Sequence, residues 1–309
     1  MLPIIRTVGA SGQHFLVMNT IPLILDTDIG SDIDDAVALA YLLKQPRCEF
    51  LGITTVSGRP EKRASLADAI CRKAGRADIP IHVGAANPLL AEQIQPQAPQ
   101  FAALAGKHDH RHYSTENTAV AFLRDTIRSR PGEITLLTIG PLTNIALLFA
   151  LAPDIPALLR GIVAMGGQFF PSGSEWNIRC DPHAAAMVLA APVPVTLVGL
   201  DVTMKCVLPS DECRRRFPSI GGSLEIVSDM AEVWFKHTPA CTFHDPLAAA
   251  IVFEPSLCGF TQGRAVVELS GPPPGGQSSW VDDTSDSQRA AATVDSGRFF
   301  EHYFGIVNC

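Results

Sequence analysis

No run of basic residues in this 309-residue sequence reaches five, and the net charge is -7. A nucleic-acid partner needs a cationic stripe to displace the counterions of a phosphate backbone, so that class is excluded. No apolar stretch is as long as the roughly 18 residues that a membrane-spanning helix requires. None of the eight cysteines, at positions 48, 71, 180, 206, 213, 241, 258 and 309, is spaced as C-x-x-C. A zinc ribbon and a disulfide framework are therefore not expected, and the thiols read as reduced in a cytoplasmic protein. Residues 1–17 lack the continuous apolar segment of a secretory signal. They read as a disordered extension, or as a start placed ahead of a true one at Met18, leaving 18–309 as the domain. There is no internal repeat and no long linker, and 47 % hydrophobic content suffices for one large core.

What the sequence does have is five aspartates within ten residues: Asp26, Asp28, Asp32, Asp34 and Asp35. An apolar run, Ile21–Leu25, leads into them and a helix-compatible stretch, Ala36–Leu43, leads out. They therefore fall at a strand-to-helix turn, where side chains converge. Carboxylates that close together repel and take up protons unless a cation neutralises them. Oxygen donors without nearby Cys or His favour a hard divalent ion, calcium or magnesium. Helix capping and dipole complementarity account for one or two of the five, but not for Asp26 and Asp28, which precede the turn.

Further apolar runs follow at Phe50–Val56, Ile79–Val83, Ile134–Ile139, Gly161–Met165 and Val195–Leu200. They lack strict polar alternation, as strands covered on both faces do. Helical segments lie between them at Lys62–Ala74, Thr118–Arg130, Leu142–Leu151 and Pro182–Ala190. This alternation predicts a single α/β domain with a mainly parallel sheet flanked by helices. Val266–Leu269 and Ser279–Val281 add a small C-terminal hairpin, with 271–276 as its loop. Ligands of such sheets sit beyond the carboxyl ends of the strands. Those ends carry Asp26 and Asp28, Ser57-Gly58, Gly140–Asn144, Met165–Gly167 and Asp201.

Other segments offer chemistry on their own terms. In Phe243-His244-Asp245-Pro246, Asp245 suits an N-cap and Pro246 the first helical position, while His244 suits acid–base work near neutral pH. Glu175 and Asn177 offer hydrogen bonds to sugar hydroxyls, although Gly173–Asn177 on its own reads as an ordinary polar surface loop. The tract His108–His112 has the look of a metal tract but reads as a solvated loop before a helix capped near Ser114, with a lid as a further alternative.

Taken in order, Asp26–Asp35, Ile139–Asn144, Val163–Gly167, Glu175–Asn177 with Asp181-Pro182, and His244–Pro246 resemble the inosine–uridine-preferring nucleoside hydrolase family over residues 18–304. The resemblance implies hydrolysis of a ribonucleoside to ribose and free base, with a calcium cofactor and a homo-oligomer, dimer or tetramer. It implies calcium ligation by Asp28, Asp35, Asp245 and the Ile139 carbonyl, with Asp28 as base on a calcium-bound water. Asp34, Asn177 and Asp245 would hold the 2′ and 3′ oxygens, Glu175 the 5′ hydroxyl, and Met165 would line the ribose. His244 matches the proton donor to the leaving base. Beside the resemblance, Trp234 is a candidate from this sequence to stack on that base. Two departures stand out. Asp32-Ile33 is an insertion relative to the family's D-x-D-x-G-x-D-D, and Arg59 follows Gly58 where the family often has Asn. The segment between Gly167 and Glu175 is also short. Two other readings remain: a magnesium-dependent aspartyl-phosphate phosphohydrolase, and a non-catalytic calcium-dependent nucleoside- or sugar-binding protein.

Overall fold

The apolar run ahead of the aspartates forms a strand, Ile21–Thr27 (β1), buried along its whole length. Successive residues face opposite sides of the sheet. Leu23 and Leu25 join one hydrophobic cluster and Ile24 the other. Each such fully buried side chain contributes about 1.5–3 kcal/mol, so a strand with two apolar faces is fixed in the middle of the sheet. The computed structural model describes residues 6–8, 14–16, 19–270 and 275–309. The expected tail and the Met18 start lie largely outside the described residues, as does most of the 271–276 loop. Arg6–Val8 pairs with His14–Leu16 as a short antiparallel ladder.

The other strands of the main sheet are β2 (Cys48–Thr55), β3 (Ile81–Val83), β4 (Thr135–Thr138), β5 (Gly161–Met165), β6 (Gly173–Ser174), β7 (Val195–Val198), β8 (Cys258–Val267), β9 (Gln277–Asp282) and β10 (Gln288–Val294). They form one ten-stranded sheet in the order β3-β2-β1-β4-β5-β7-β10-β8-β9-β6. Neighbours from β3 to β10 are parallel, and β8, β9 and β6 complete the far edge antiparallel. The expected C-terminal hairpin is present as β8 and β9. It is longer than its apolar residues suggest and continues the main sheet through β10, which pairs Ala290 with Leu197.

Helices cover both faces. The labelled ones are α1 (Asp34–Lys44), α2 (Pro60–Lys73), α3 (Ala119–Ser129), α4 (Thr143–Leu151), α5 (Trp176–Cys180), α6 (Pro182–Leu189), α7 (Ser223–Trp234), α8 (His244–Phe253) and α9 (Ser296–Val307). One face packs α1, α2, α7, α8 and α9 against Leu23 and Leu25, and the other packs α3, α4 and α6 against Ile24, Leu136 and Leu197. Phe243, just before α8, meets Phe299 and Tyr303 of α9 edge-on, which fixes the start of α8 from below. The eight cysteines are free thiols. No helix among the described residues is long and apolar enough to cross a membrane.

Candidate active site

From β1 the chain adds β2 and β3 on one side, then returns to place β4 on the other. A crevice opens at such a reversal, outside the carboxyl ends of the strands. Here it is a cavity of about 530 Å³. The end of β1 brings Asp28 to it and the following turn brings Ser31 and Asp32. The first turn of α1 brings Asp34 and Asp35, and the strand ends of β4 and β5 bring Ile139 and Met165. The start of α5 adds Glu175, Trp176 and Asn177; the start of α8 adds His244 and Asp245. Trp234 at the end of α7 and Leu200 add apolar wall. The nine residues named above as catalytic, sugar-binding or metal-binding thus line a single cavity.

The turn that makes this possible depends on Gly30, whose φ of +118° suits a residue without a side chain. A Cβ there would meet Leu66 Cδ1 at 2.6 Å. Asp34 and Asp35 then sit at the helix N-terminus, where the dipole favours negative charge. Asp26 does not reach the cavity. It is fully buried behind it, accepting from Thr54 Oγ1 and from Asn144 Nδ2 at 2.7 Å, and burial pushes its carboxyl up to about 7. Asp32 does line the cavity, and burial pushes it up to about 6.

Carboxylate oxygens of Asp34, Asp35 and Asp245 lie within 4.8 Å of one another. Burial, then the neighbouring carboxylates, push all three well above the usual carboxylate range. Asp245 is not the N-cap of α8. The helix begins two residues earlier than that cap would place it, at His244, with Phe243 in the capping position. Asp245 therefore lies in the first turn with its carboxylate in the cluster, and its N–H donates to Asp34 Oδ2 at 3.1 Å. Asp28 is raised by burial, opposed by the charge of Arg63. Arg63 is wholly buried on α2. It donates to the carbonyls of Ser57 at 2.8 Å, Ile29 at 3.1 Å and Gln97 at 3.1 Å, and to the Asp28 carbonyl.

Glu175 caps α5. Its carboxylate accepts the N–H groups of Asn177 at 2.8 Å, Ile178 at 3.0 Å and Gly167 at 3.1 Å. Asn177 Nδ2 donates to the carbonyls of Ile139 at 3.0 Å and Met165 at 3.2 Å, tying together the ends of β4 and β5. His244 Nδ1 lies 2.7 Å from Thr203 Oγ1, and burial lowers the imidazole to about 4. At neutral pH it is an uncharged ring. Asp201, at the carboxyl end of β7, holds the N–H groups of Phe169 and Phe170 at 2.9 and 2.6 Å and does not line the cavity. The His108–His112 tract does not line it either. His108 pairs with Asp229 at 2.9 Å, the Arg111 N–H donates to Asp68 at 2.7 Å, and the next helix starts at Ala119 rather than near Ser114.

Gly140 is where the backbone meets the Asp28 carboxyl. A Cβ there would lie 2.8 Å from Asp28 Oδ1 and 2.9 Å from Asp28 N. Gly140→Ala is therefore expected to displace Asp28 and lower kcat by about a hundredfold, the usual cost of misplacing a reacting group by an ångström. Steady-state kinetics beside a thermal unfolding curve would check it; an unchanged kcat would show that Asp28 tolerates the shift.

The matched family model is that of the inosine-uridine preferring nucleoside hydrolases, over residues 23–301. The chain belongs to this family. It is a hydrolase that cleaves the N-glycosidic bond of ribonucleosides. Uridine nucleosidase 1 of Arabidopsis thaliana is 31 % identical over 270 residues, covering 81 % of this chain and 79 % of the plant protein. Pyrimidine-specific ribonucleoside hydrolase RihB of Escherichia coli is 32 % identical over 229 residues, 69 % of this chain and 70 % of its own. Among solved structures, the purine-preferring ribonucleoside hydrolase from Gardnerella vaginalis superposes with a TM-score of 0.81 at 26 % identity, covering 93 % of this chain and 98 % of that one. Nucleoside hydrolases are metal-dependent, and the donor set fits a hard cation: all oxygen, buried, and carrying more carboxylates than can ionise together without one.

Proposed function

We propose that the cavity binds a ribonucleoside with its sugar toward the aspartate cluster, that the metal is calcium, and that Asp28 takes the proton from the attacking water. The convergence of Asp34, Asp35 and Asp245, in a cavity shared with Asp28 and His244, carries this reading. Asp28, Asp35, Asp245 and the Ile139 carbonyl are the residues that would hold calcium, which when bound supplies a template and Lewis acidity for water and sugar hydroxyls. Asp34, Asn177 and Asp245 hold the 2′ and 3′ oxygens, Glu175 the 5′ oxygen, and Met165 lies against the ring. As the bond to the base breaks, positive charge grows on the sugar. The buried carboxylates stabilise that charge because they are fixed before it develops. Asp28 accepts the water proton, and direct attack inverts the anomeric centre. A homo-oligomer, dimer or tetramer, in the cytoplasm belongs to the same reading.

His244 meets the departing base as a neutral imidazole held by Thr203. Its N–H offers the base a hydrogen bond as negative charge collects there, with Trp234 lining the same space. His244→Ala is expected to slow natural nucleosides more than p-nitrophenyl riboside, whose leaving group needs no proton. Equal losses on both substrates would remove His244 from the leaving-group step. The reading as a whole is tested by ribose release from a panel of purine and pyrimidine nucleosides, before and after chelation. Hydrolysis of p-nitrophenyl phosphate with magnesium, or nucleoside binding without turnover, would replace it. No lysine lines the cavity among the described residues, which weighs against the phosphoryl-transfer alternative.

A further inference from the structure

One buried polar group in the cavity belongs to none of the motifs. Gln95 lies in the segment between β3 and α3 and is only 7 % exposed. Its Nε2 donates to Asp28 Oδ2, and its Oε1 accepts the indole N–H of Trp176. The orientation of the amide follows from those partners: reversed, it would set an N–H donor against the indole and an oxygen against the carboxylate. The backbone holds it there. The Gln95 N–H donates to Gln93 Oε1 at 2.7 Å, and Arg63 clamps the Gln97 carbonyl at 3.1 Å. On the far side, the Gln95 carbonyl presses on Gly58, where a Cβ would lie 2.2 Å away.

Residue 59 supplies no amide to this cavity. Arg59 turns outward to Glu61 at 2.6 Å and is 44 % exposed along its side chain. Gln95 reaches the cavity from a different segment and lands on the carboxyl that needs orienting.

We propose that Gln95 is the positioning residue for Asp28. It fixes Oδ2, leaves Oδ1 on the Gly140 side to take the proton, and connects the carboxyl to Trp176 at the cavity rim. The indole is 44 % exposed and lines the cavity beside Gln95 and Pro96, so the group that orients the base also touches a wall available to the nucleobase. This rests on the reading of Asp28 as base. A hydrogen bond that orients a base acts in the transition state more than in the ground state, so its loss lowers kcat rather than raising KM.

The test is steady-state ribose release from inosine and uridine by the metal-loaded protein carrying Gln95→Met, Gln95→Ala or Gln95→Glu, with Asp28→Asn as control. Trp176 emission, assigned with Trp176→Phe, and thermal unfolding are read on the same samples. Gln95→Met keeps the volume without the hydrogen bonds. It and Gln95→Ala are expected to lower kcat about tenfold to a hundredfold, as losses of orienting partners do. KM should stay within about threefold, since ground-state binding is untouched. Gln95→Glu sets a second carboxylate on Asp28 and is expected to lose more. Trp176 emission should shift in every Gln95 variant while the unfolding midpoint of Gln95→Met stays at the parent value. A Gln95→Met enzyme with parental kcat would overturn the proposal, and so would a loss confined to KM. A loss of kcat matched by a lowered unfolding midpoint in both Met and Ala variants would also overturn it, by making Gln95 merely structural. If Asp28→Asn stays active, the assignment of the base fails instead. If it is inactive while Gln95→Met is parental, only the role of Gln95 fails.

Discussion

Asp28→Asn is expected to lower kcat by about a thousandfold or more, at the upper end of what one general base contributes. The substitution keeps the shape of the side chain and leaves an oxygen for the Gln95 amide, but an amide does not take up a proton. The rest of the site should survive it. The Asp28 carbonyl is gripped by Arg63, and Gly140 leaves room for a side chain of the same size. KM should therefore change far less than kcat, while calcium, which loses one charged ligand, should bind more weakly and is kept in excess during the assay. Asp28→Ala is expected to lose turnover at any nucleoside concentration, and some metal affinity with it. Single-turnover ribose release separates chemistry from binding in both variants. Near-parental rates in Asp28→Asn would mean that another group receives the proton; with Asp32 pushed up to about 6 and lining the same cavity, it would be the next to examine.

The central sheet was legible because strands buried on both faces leave a simple mark. Leu23-Ile24-Leu25 must feed two cores at once, and only an unbroken apolar run does that. Its antiparallel edge was not legible as part of the sheet. β8 mixes buried and exposed positions, and its attachment runs through β10 to β7, a pairing that no local pattern encodes. Within the site, the aspartate run and the His244-Asp245 pair could be found because strand ends at a reversal point face one crevice. Asp26 was overcounted for the same reason: it shares the run, yet it points at Asn144 and Thr54 inside the sheet. Asp245 looked like a cap because an Asp before Pro usually is one; here the helix starts earlier and frees the carboxylate. Gln95 and Arg63 carried no signal. A lone amide in a loop resembles any other, and Lys62-Arg63 on a helix reads as a solvated face. Arg63 is buried only because carbonyls from three separate segments converge on its guanidinium.

Removing the cation is expected to abolish turnover and to reverse the dependence of stability on pH. Without it, Asp26 and Asp32 are pushed up to about 7 and about 6, and Asp34, Asp35 and Asp245 are raised well above the usual range. Their folded-state values lie above those of the unfolded chain, near 4. Between about pH 4 and 7 the folded state then holds more protons than the unfolded one, so its stability is greatest at the acid end and is lost as pH rises. Asp78, Asp154 and Glu212 are lowered by surface arginines and titrate below this window. His82, His244 and His302, lowered by burial, act in the opposite sense as pH rises towards their unfolded value of 6.5, but the five raised carboxyls outnumber them. Chelated protein should therefore melt at a lower temperature at pH 8 than at pH 5. Calcium displaces protons from the cluster, so it should bind more tightly at pH 8 and raise the melting temperature more there. At a hundredfold excess over its dissociation constant it adds about 2.7 kcal/mol, on the order of 4 °C for a chain of 309 residues. Flexible oxygen coordination favours calcium over magnesium in the recovery of activity. Scanning calorimetry and ribose release at both pH values, with chelator, calcium or magnesium, would decide the matter. A chelated protein that melts higher at pH 8 than at pH 5 would show that these carboxyls are not protonated in the fold. Turnover that survives chelation would remove the cation from the chemistry and leave the buried cluster to stabilise the sugar alone.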